Sequence, residues 1–109
     1  MTPPAGERIL IVEDEGRIAG MLERYLQASG YRTEVAKDGK RALELWRVAQ
    51  PDLILLDLMI PEPDGLEVTR HIRQASDVPI LMVTAKTEEV DKLVGLGLGA
   101  DDYSRYHLV

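Results

Sequence analysis

Three apolar segments, spaced along the first three quarters of the chain, limit the folds open to it. They occupy residues 8–12, 52–57 and 79–84 and show no alternation of apolar and polar side chains. Such segments are typical of strands that are buried on both faces of a parallel sheet. The segment after the first one changes period, because Ile18, Leu22 and Tyr25 recur at helical spacing. We therefore predict an α/β fold, with a doubly wound parallel sheet and helices on both faces.

The spacing of apolar residues and the positions of turn residues also predict the remaining helices and strands. The first helix ends at Ser29-Gly30, and Asp38-Gly39 forms a turn and a cap before a second helix. That helix ends before Pro51, because proline disfavours a helical residue in front of it. The predicted ranges are helix 17–28, strand 32–36, a second helix that includes Ala42, Leu43 and Trp46, helix 66–75, helix 90–96 and a last strand within 101–106.

Composition excludes several classes of protein. The 109 residues include no cysteine, which removes disulfides, thiolate metal sites and cysteine nucleophiles and fits a reducing, cytoplasmic compartment. No apolar run approaches the roughly 20 residues of a membrane helix, so we expect no membrane association. The net charge of −6 argues against direct nucleic-acid binding by this chain. We expect residues 1–7 to be a disordered leader and residues 8–109 to form one domain.

Acidic residues follow two of the apolar segments directly. Glu13 and Asp14 come after the first segment, Asp57 ends the second, and Thr84 ends the third. In parallel sheets, ligands bind at the carboxyl ends of the strands, so these side chains are expected to share a pocket. Converging carboxylates repel one another unless a proton or a cation compensates, and their hard oxygen atoms favour Mg²⁺ (or Mn²⁺) over zinc. With a metal ion beside it, Asp57 could act as a nucleophile toward a phosphoryl group.

A purely structural interpretation of the same residues stays open. An acid after a strand often caps the next helix, and Asp14 or Glu15 could do so here. Thr84 could be an ordinary hydroxyl at a strand end.

Five segments in order give the chain a resemblance to a known family. It resembles the receiver domain of bacterial response regulators, and most of all the winged-helix (OmpR-like) transcription factors, along residues 8–103. The resemblance implies a flavodoxin-like five-stranded sheet of order 2-1-3-4-5. The segments are Ile-Leu-Ile-Val-Glu-Asp-Glu from Ile9, Asp-Leu-Ile-Leu-Leu-Asp-Leu-Met-Ile-Pro from Asp52, Asp-Gly-Leu-Glu from Asp64, Pro-Ile-Leu-Met-Val-Thr-Ala from Pro79 and Gly-Ala-Asp-Asp-Tyr from Gly99.

The resemblance implies a role for each matching residue. Asp57 matches the phosphoacceptor, and Glu13 and Asp14 match the acidic pair that binds Mg²⁺ together with the acceptor. Met59 matches the position whose backbone carbonyl completes the metal site.

Two further residues match the family's switch. Thr84 matches the hydroxyl that moves toward the phosphoryl group, and Tyr103 matches the aromatic residue that turns inward on activation. The resemblance also implies a sensor histidine kinase as phosphodonor and an attached DNA-binding domain as output. It implies no enzyme beyond Mg²⁺-dependent self-phosphorylation and self-dephosphorylation.

The chain departs from the family pattern after Tyr103. The family continues with Lys-Pro-Phe and a fifth helix, whereas Tyr106 stands here at the lysine position and the sequence ends at Val109. We expect an altered last strand, a missing fifth helix and weaker coupling of phosphorylation to a surface change. Without the fifth helix, the apolar surface that it would cover is exposed. We therefore also predict a homodimer or a domain-swapped oligomer, in which another copy covers this surface.

Three rival functions share parts of this pattern. A phosphohydrolase with an aspartyl nucleophile would carry a second aspartate two residues on, where this chain has Met59, which cannot transfer a proton. A flavodoxin-like cofactor binder needs hydroxyl groups and backbone N–H donors that bind a phosphate after the first strand, where this chain has acids. The third rival is a truncated pseudo-receiver that serves as a structural or oligomerisation module without switching.

Overall fold

The computed structural model describes residues 7–57 and 59–82. These residues form four strands and three helices that alternate along the chain. In order they are β1 (Arg8–Val12), α1 (Gly16–Ala28), β2 (Arg32–Ala36), α2 (Gly39–Ala49), β3 (Leu53–Leu56), α3 (Gly65–Arg73) and β4 (Ile80–Met82). The first two strands have the predicted bounds, and β3 and β4 lie inside the predicted apolar segments.

All strand pairs in the described sheet are parallel, and the strand order is β2-β1-β3-β4. Leu10 pairs with Ile54, which pairs in turn with Ile80, so the most apolar segments occupy the centre of the sheet. The order reverses between β1 and β3, because the chain moves first to one side of β1 and later to the other. This order confirms the predicted doubly wound arrangement for these four strands.

The main core lies between the sheet and the pair α2 and α3. Alternate residues of β1, β3 and β4 point toward these helices and are almost fully buried. Ala42 and Leu45 of α2 are buried against them, whereas Leu43 and Trp46 of the same helix are only partly buried. The buried strand residues of this cluster are Leu10, Val12, Ala36, Ile54, Leu56, Ile80 and Met82.

The opposite face of the sheet contacts α1. A groove on this face, here called the α1 groove, is lined mainly by Ile9, Leu22, Leu26, Leu53, Leu55 and Leu81. Leu53, Leu55 and Leu81 are half-buried within the part of the chain that the structure describes. Tyr25, one of the residues at helical spacing, is 72% exposed, and Met21 of the same helix is 54% exposed. Helices thus lie on both faces of the sheet, as predicted.

Several predictions fall on residues outside these ranges: the fourth helix, the altered fifth strand, the missing fifth helix and most of the leader. Of the leader only Glu7 is described, and its carbonyl accepts a hydrogen bond from the Arg32 N–H at 2.9 Å. No helix among residues 7–57 and 59–82 is long and apolar enough to cross a membrane.

Candidate functional site

Backbone hydrogen bonds continue the sheet one residue past β1 and one residue past β3, and so place two acids side by side. The Glu13 N–H donates to the Ala36 carbonyl at 2.9 Å, and the Asp57 N–H donates to the Val12 carbonyl at 3.0 Å. Both acids therefore lie at the carboxyl ends of neighbouring parallel strands. This is the point where the strand order reverses, which is the usual ligand position in such sheets.

The structure brings the predicted acidic residues together. One carboxylate oxygen each from Glu13, Asp14 and Asp57 lies within 4.8 Å of the others. Glu13 is only 6% exposed, Asp57 is half-buried and Asp14 is exposed. Two full negative charges at that separation repel by about 3 kcal/mol at an effective dielectric constant of 20. The cluster therefore needs a proton or a cation to hold all three groups in place.

Hydrogen bonds at the start of α1 answer the question of which acid caps the helix. Glu15 is the N-cap, and its Oε1 accepts from the Arg17 N–H at 3.2 Å. Glu13 Oε2 accepts from the Glu15 N–H at 3.0 Å. Helix capping therefore explains Glu15 and leaves Asp14 to be explained by the acidic cluster.

The pKa values of the two less exposed acids rise together. The pKa of Glu13 rises from 4.5 to about 7, mainly because the group is buried; the Glu15 N–H opposes this rise, and the negative charges of Asp57 and Asp14 contribute to it. Burial also raises the pKa of Asp57, with the charge of Asp14 acting in the same direction and the Met59 N–H opposing it. The hydrogen bond between the two side chains raises the pKa of Glu13 and lowers that of Asp57, so Glu13 holds the shared proton.

The donor set fits a hard divalent cation. All three clustered side chains offer carboxylate oxygens, and this set contains no histidine or sulfur ligand. Such oxygen sets suit Mg²⁺ and Mn²⁺. A bound cation would take the place of the proton on Glu13, because it compensates the same negative charge.

Met59 follows Asp57 closely, and its N–H donates to Asp57 Oδ1 at 3.0 Å. Its side chain is 47% exposed, and the predicted role of its backbone carbonyl in metal binding stays a prediction. Thr84 and Tyr103, the two predicted switch residues, lie outside the described residues, so their roles stay predictions.

Two features of this region were not anticipated from the sequence. The first is the deep burial of Glu13 relative to Asp14. The sequence contains no local signal for this difference, because β1 is buried on both faces and alternation along it does not distinguish the two acids. The second is a close approach of Gly39 to Pro63, for which the sequence contains no local signal.

The family model described as "Response regulator receiver domain" matches residues 9–104. A curated relative, the transcriptional regulatory protein BaeR of Escherichia coli O6:H1, is 54% identical over 96 residues. That alignment covers 88% of this chain and 40% of the relative, so the chain spans less than half the length of the protein it matches.

Solved structures give the same result at the level of the fold. The receiver domain of the Francisella response regulator 1452 is 31% identical, with a TM-score of 0.81, over 94% of this chain and 82% of that one. Thermotoga maritima TrrA, solved in complex with Mg²⁺-BeF, is 34% identical, with a TM-score of 0.80, over 94% and 85%. The chain thus has the predicted flavodoxin-like receiver fold, and it belongs to the response regulator receiver domain family.

Proposed function

We propose that this chain accepts a phosphoryl group on Asp57 in two-component signalling. Glu13, Asp14, Asp57 and the backbone carbonyl of Met59 would hold Mg²⁺ (or Mn²⁺) beside the acceptor. The observation that carries this proposal is the cluster of three carboxylate oxygens within 4.8 Å, at the point where the strand order reverses. Burial and like charge make this cluster unfavourable without a compensating proton or cation.

The proposed reaction is a phosphoryl transfer from a histidine of a sensor kinase. An ionised oxygen of Asp57 attacks phosphorus, the P–O bond forms, and the P–N bond of the phosphohistidine breaks with its electron pair going to the imidazole nitrogen. The bound cation supplies compensation for the negative charge on the phosphoryl oxygens and the carboxylates. The Met59 N–H, already donating to Asp57 Oδ1, holds the carboxylate in a fixed orientation.

The wider role is inferred from the relatives. We propose a cytoplasmic protein in which the phosphorylated receiver controls a DNA-binding domain beyond the 109 residues, with Thr84 and Tyr103 as the switch. The relative of 54% identity is named a transcriptional regulatory protein, and the chain covers 40% of it. With a net charge of −6, we do not expect residues 1–109 themselves to contact DNA.

Intact-mass analysis tests the central claim. The chain is incubated with Mg²⁺ and acetyl phosphate, and one added phosphoryl group is expected. Asp57→Asn should remove the adduct, while Asp52→Asn, at the other end of β3, should retain it. EDTA should prevent its formation. An unmodified wild-type chain that nonetheless binds Mg²⁺ would favour the pseudo-receiver instead, and an adduct on Asp57→Asn would refute the assignment of the acceptor.

Self-association is a second part of the proposal and rests on the α1 groove. Its lining is mainly apolar, and Leu53, Leu55 and Leu81 are half-buried within the described residues. We propose that a second copy covers this face. Sedimentation velocity over a concentration series should show a dimer that Tyr25→Glu abolishes and Val48→Glu leaves intact, because both residues are exposed but only Tyr25 lines the groove. A monomer at all concentrations would refute it.

A further inference from the structure

The loop that follows Asp57 is held at both of its ends. This segment, residues 59–64, is here called the acceptor loop. At its start the Met59 N–H donates to Asp57 Oδ1 at 3.0 Å, and at its end Asp64 caps α3 by accepting from the Glu67 N–H at 3.0 Å. Between them, Ile60 is 2% exposed and belongs to the main core. The position of the loop backbone is thus determined by several contacts.

A further contact comes from the N-terminus of α2. The Gly39 N–H donates to the Pro61 carbonyl at 2.9 Å, and the Lys40 N–H donates to the Glu62 carbonyl at 3.2 Å. The first N–H groups of a helix have no acceptor within the helix, and the positive end of the helix dipole favours carbonyl oxygens there. The free N–H groups of α2 and the carbonyl groups of the acceptor loop therefore satisfy each other's hydrogen-bonding capacity.

Glycine at position 39 is what permits this approach. Gly39 is buried, and a Cβ atom built on it would lie 1.9 Å from the Pro63 carbonyl oxygen and 2.7 Å from the Pro63 nitrogen. These are backbone atoms, so no rotation of a side chain could relieve the overlap. Gly39 is the first residue of α2 and its φ is not in the left-handed region, so the requirement for glycine is one of space.

We propose that Gly39 is a positioning residue for the phosphoacceptor site. It acts through the acceptor loop, because a side chain at position 39 would push α2 and the loop apart and displace Met59 relative to Asp57. The consequence for metal and phosphoryl binding rests on the proposed function, whereas the displacement of the loop does not. Residues that orient metal ligands typically change metal affinity by about 10- to 100-fold when they are replaced.

The test compares Gly39→Ala with two matched variants. Gly16→Ala places the same methyl group on the first residue of α1, where a Cβ meets nothing within 4 Å. Ala42→Gly destabilises α2 at a buried position without touching the loop contact. For each folded variant, Mg²⁺ affinity is measured by calorimetry, and the phosphorylation rate is measured at saturating Mg²⁺ and acetyl phosphate. Backbone amide signals of the acceptor loop are recorded without metal.

We expect Gly39→Ala to shift the loop amide signals, to weaken Mg²⁺ binding by at least about tenfold and to slow phosphorylation. Gly16→Ala and Ala42→Gly should bind Mg²⁺ as the wild type does, although Ala42→Gly loses stability. A folded Gly39→Ala with unchanged loop signals would refute the proposal, and so would an equal loss of affinity in Ala42→Gly. If Gly39→Ala shifts the loop signals but the wild-type chain binds no Mg²⁺, the proposed function is contradicted and the positioning role of Gly39 in the loop is not.

A measurement on the wild type covers the case in which Gly39→Ala does not fold. Coupling between two sites is reciprocal, so Mg²⁺ must stabilise the contact that positions its ligands. Hydrogen exchange of the Gly39 and Lys40 amides should slow on addition of Mg²⁺ more than that of the Gln50 amide at the other end of α2. Equal changes at both ends of the helix would contradict the proposal.

Discussion

Metal-free stability should fall as the pH rises, because the folded chain keeps a proton on Glu13. Its pKa is about 7 in the folded protein, against an ordinary value of 4.5. The folded state therefore binds more protons than the unfolded state between these values, and the free energy of unfolding decreases with pH there. The contribution of the proton is fully present below pH 4.5 and is lost as the pH rises through about 7. Burial raises the pKa of Asp57 as well, which acts in the same direction.

The difference between the ordinary and the folded-state pKa of Glu13 sets the size of this loss of stability. About two and a half pH units, each worth about 1.4 kcal/mol, give a loss of at most about 3–4 kcal/mol, which solvent screening of the carboxylate reduces. That is a large part of the 5–15 kcal/mol by which domains are typically stable. Glu13→Gln should remove this loss, because the neutral amide can accept from the Glu15 N–H and donate to Asp57 as the protonated acid does.

Urea denaturation from about pH 4.5 to about pH 8, in EDTA and in Mg²⁺, measures the effect. In EDTA, the wild type should lose stability across this range, and Glu13→Gln should lose much less. Mg²⁺ should restore the wild type at the upper end and have little effect on Glu13→Gln, because a ligand stabilises only the state that binds it. Glu44→Gln, on the exposed side of α2, is the control and should follow the wild type. A flat wild-type profile in EDTA, or the same slope in Glu13→Gln, would refute the reasoning.

Three substitutions away from the acidic cluster test the packing and the helix ends, with urea denaturation as the measurement. Ile72→Ala, at a fully buried core position of α3, should lower the free energy of unfolding by about 2–5 kcal/mol. Asp38→Ala should cost about 1 kcal/mol, because its Oδ1 accepts from the Arg41 N–H at 2.7 Å as the N-cap of α2. Gly20→Ala should add up to about 1 kcal/mol, since its Cβ meets only the Arg24 guanidinium at 3.8 Å. A change in the free energy of unfolding with the opposite sign would contradict the role given to that residue.

Much of the fold could be predicted because its signals are local. The bounds of β1 and β2 match the predicted strands, and Asp38 caps α2 as its position before Gly39 indicated. The order of the described strands also agrees with the order that the family resemblance implied. The partial exposure of Leu43 and Trp46 was harder to foresee, because a helical stripe shows which face is apolar and leaves open how much of it the neighbouring elements cover.

The sequence by itself determined which acids stand at the ends of the apolar strands and which chemistry they could support, because strand ends and helical faces are set by neighbouring residues. Only the tertiary structure decided that the Glu13 and Asp57 carboxylates come within 4.8 Å of each other, and that Glu13 rather than Asp14 is buried. It alone revealed the contact of Gly39 with Pro63. The physical reason is that such distances depend on how distant segments pack, whereas periodicity and capping reach only a few residues along the chain.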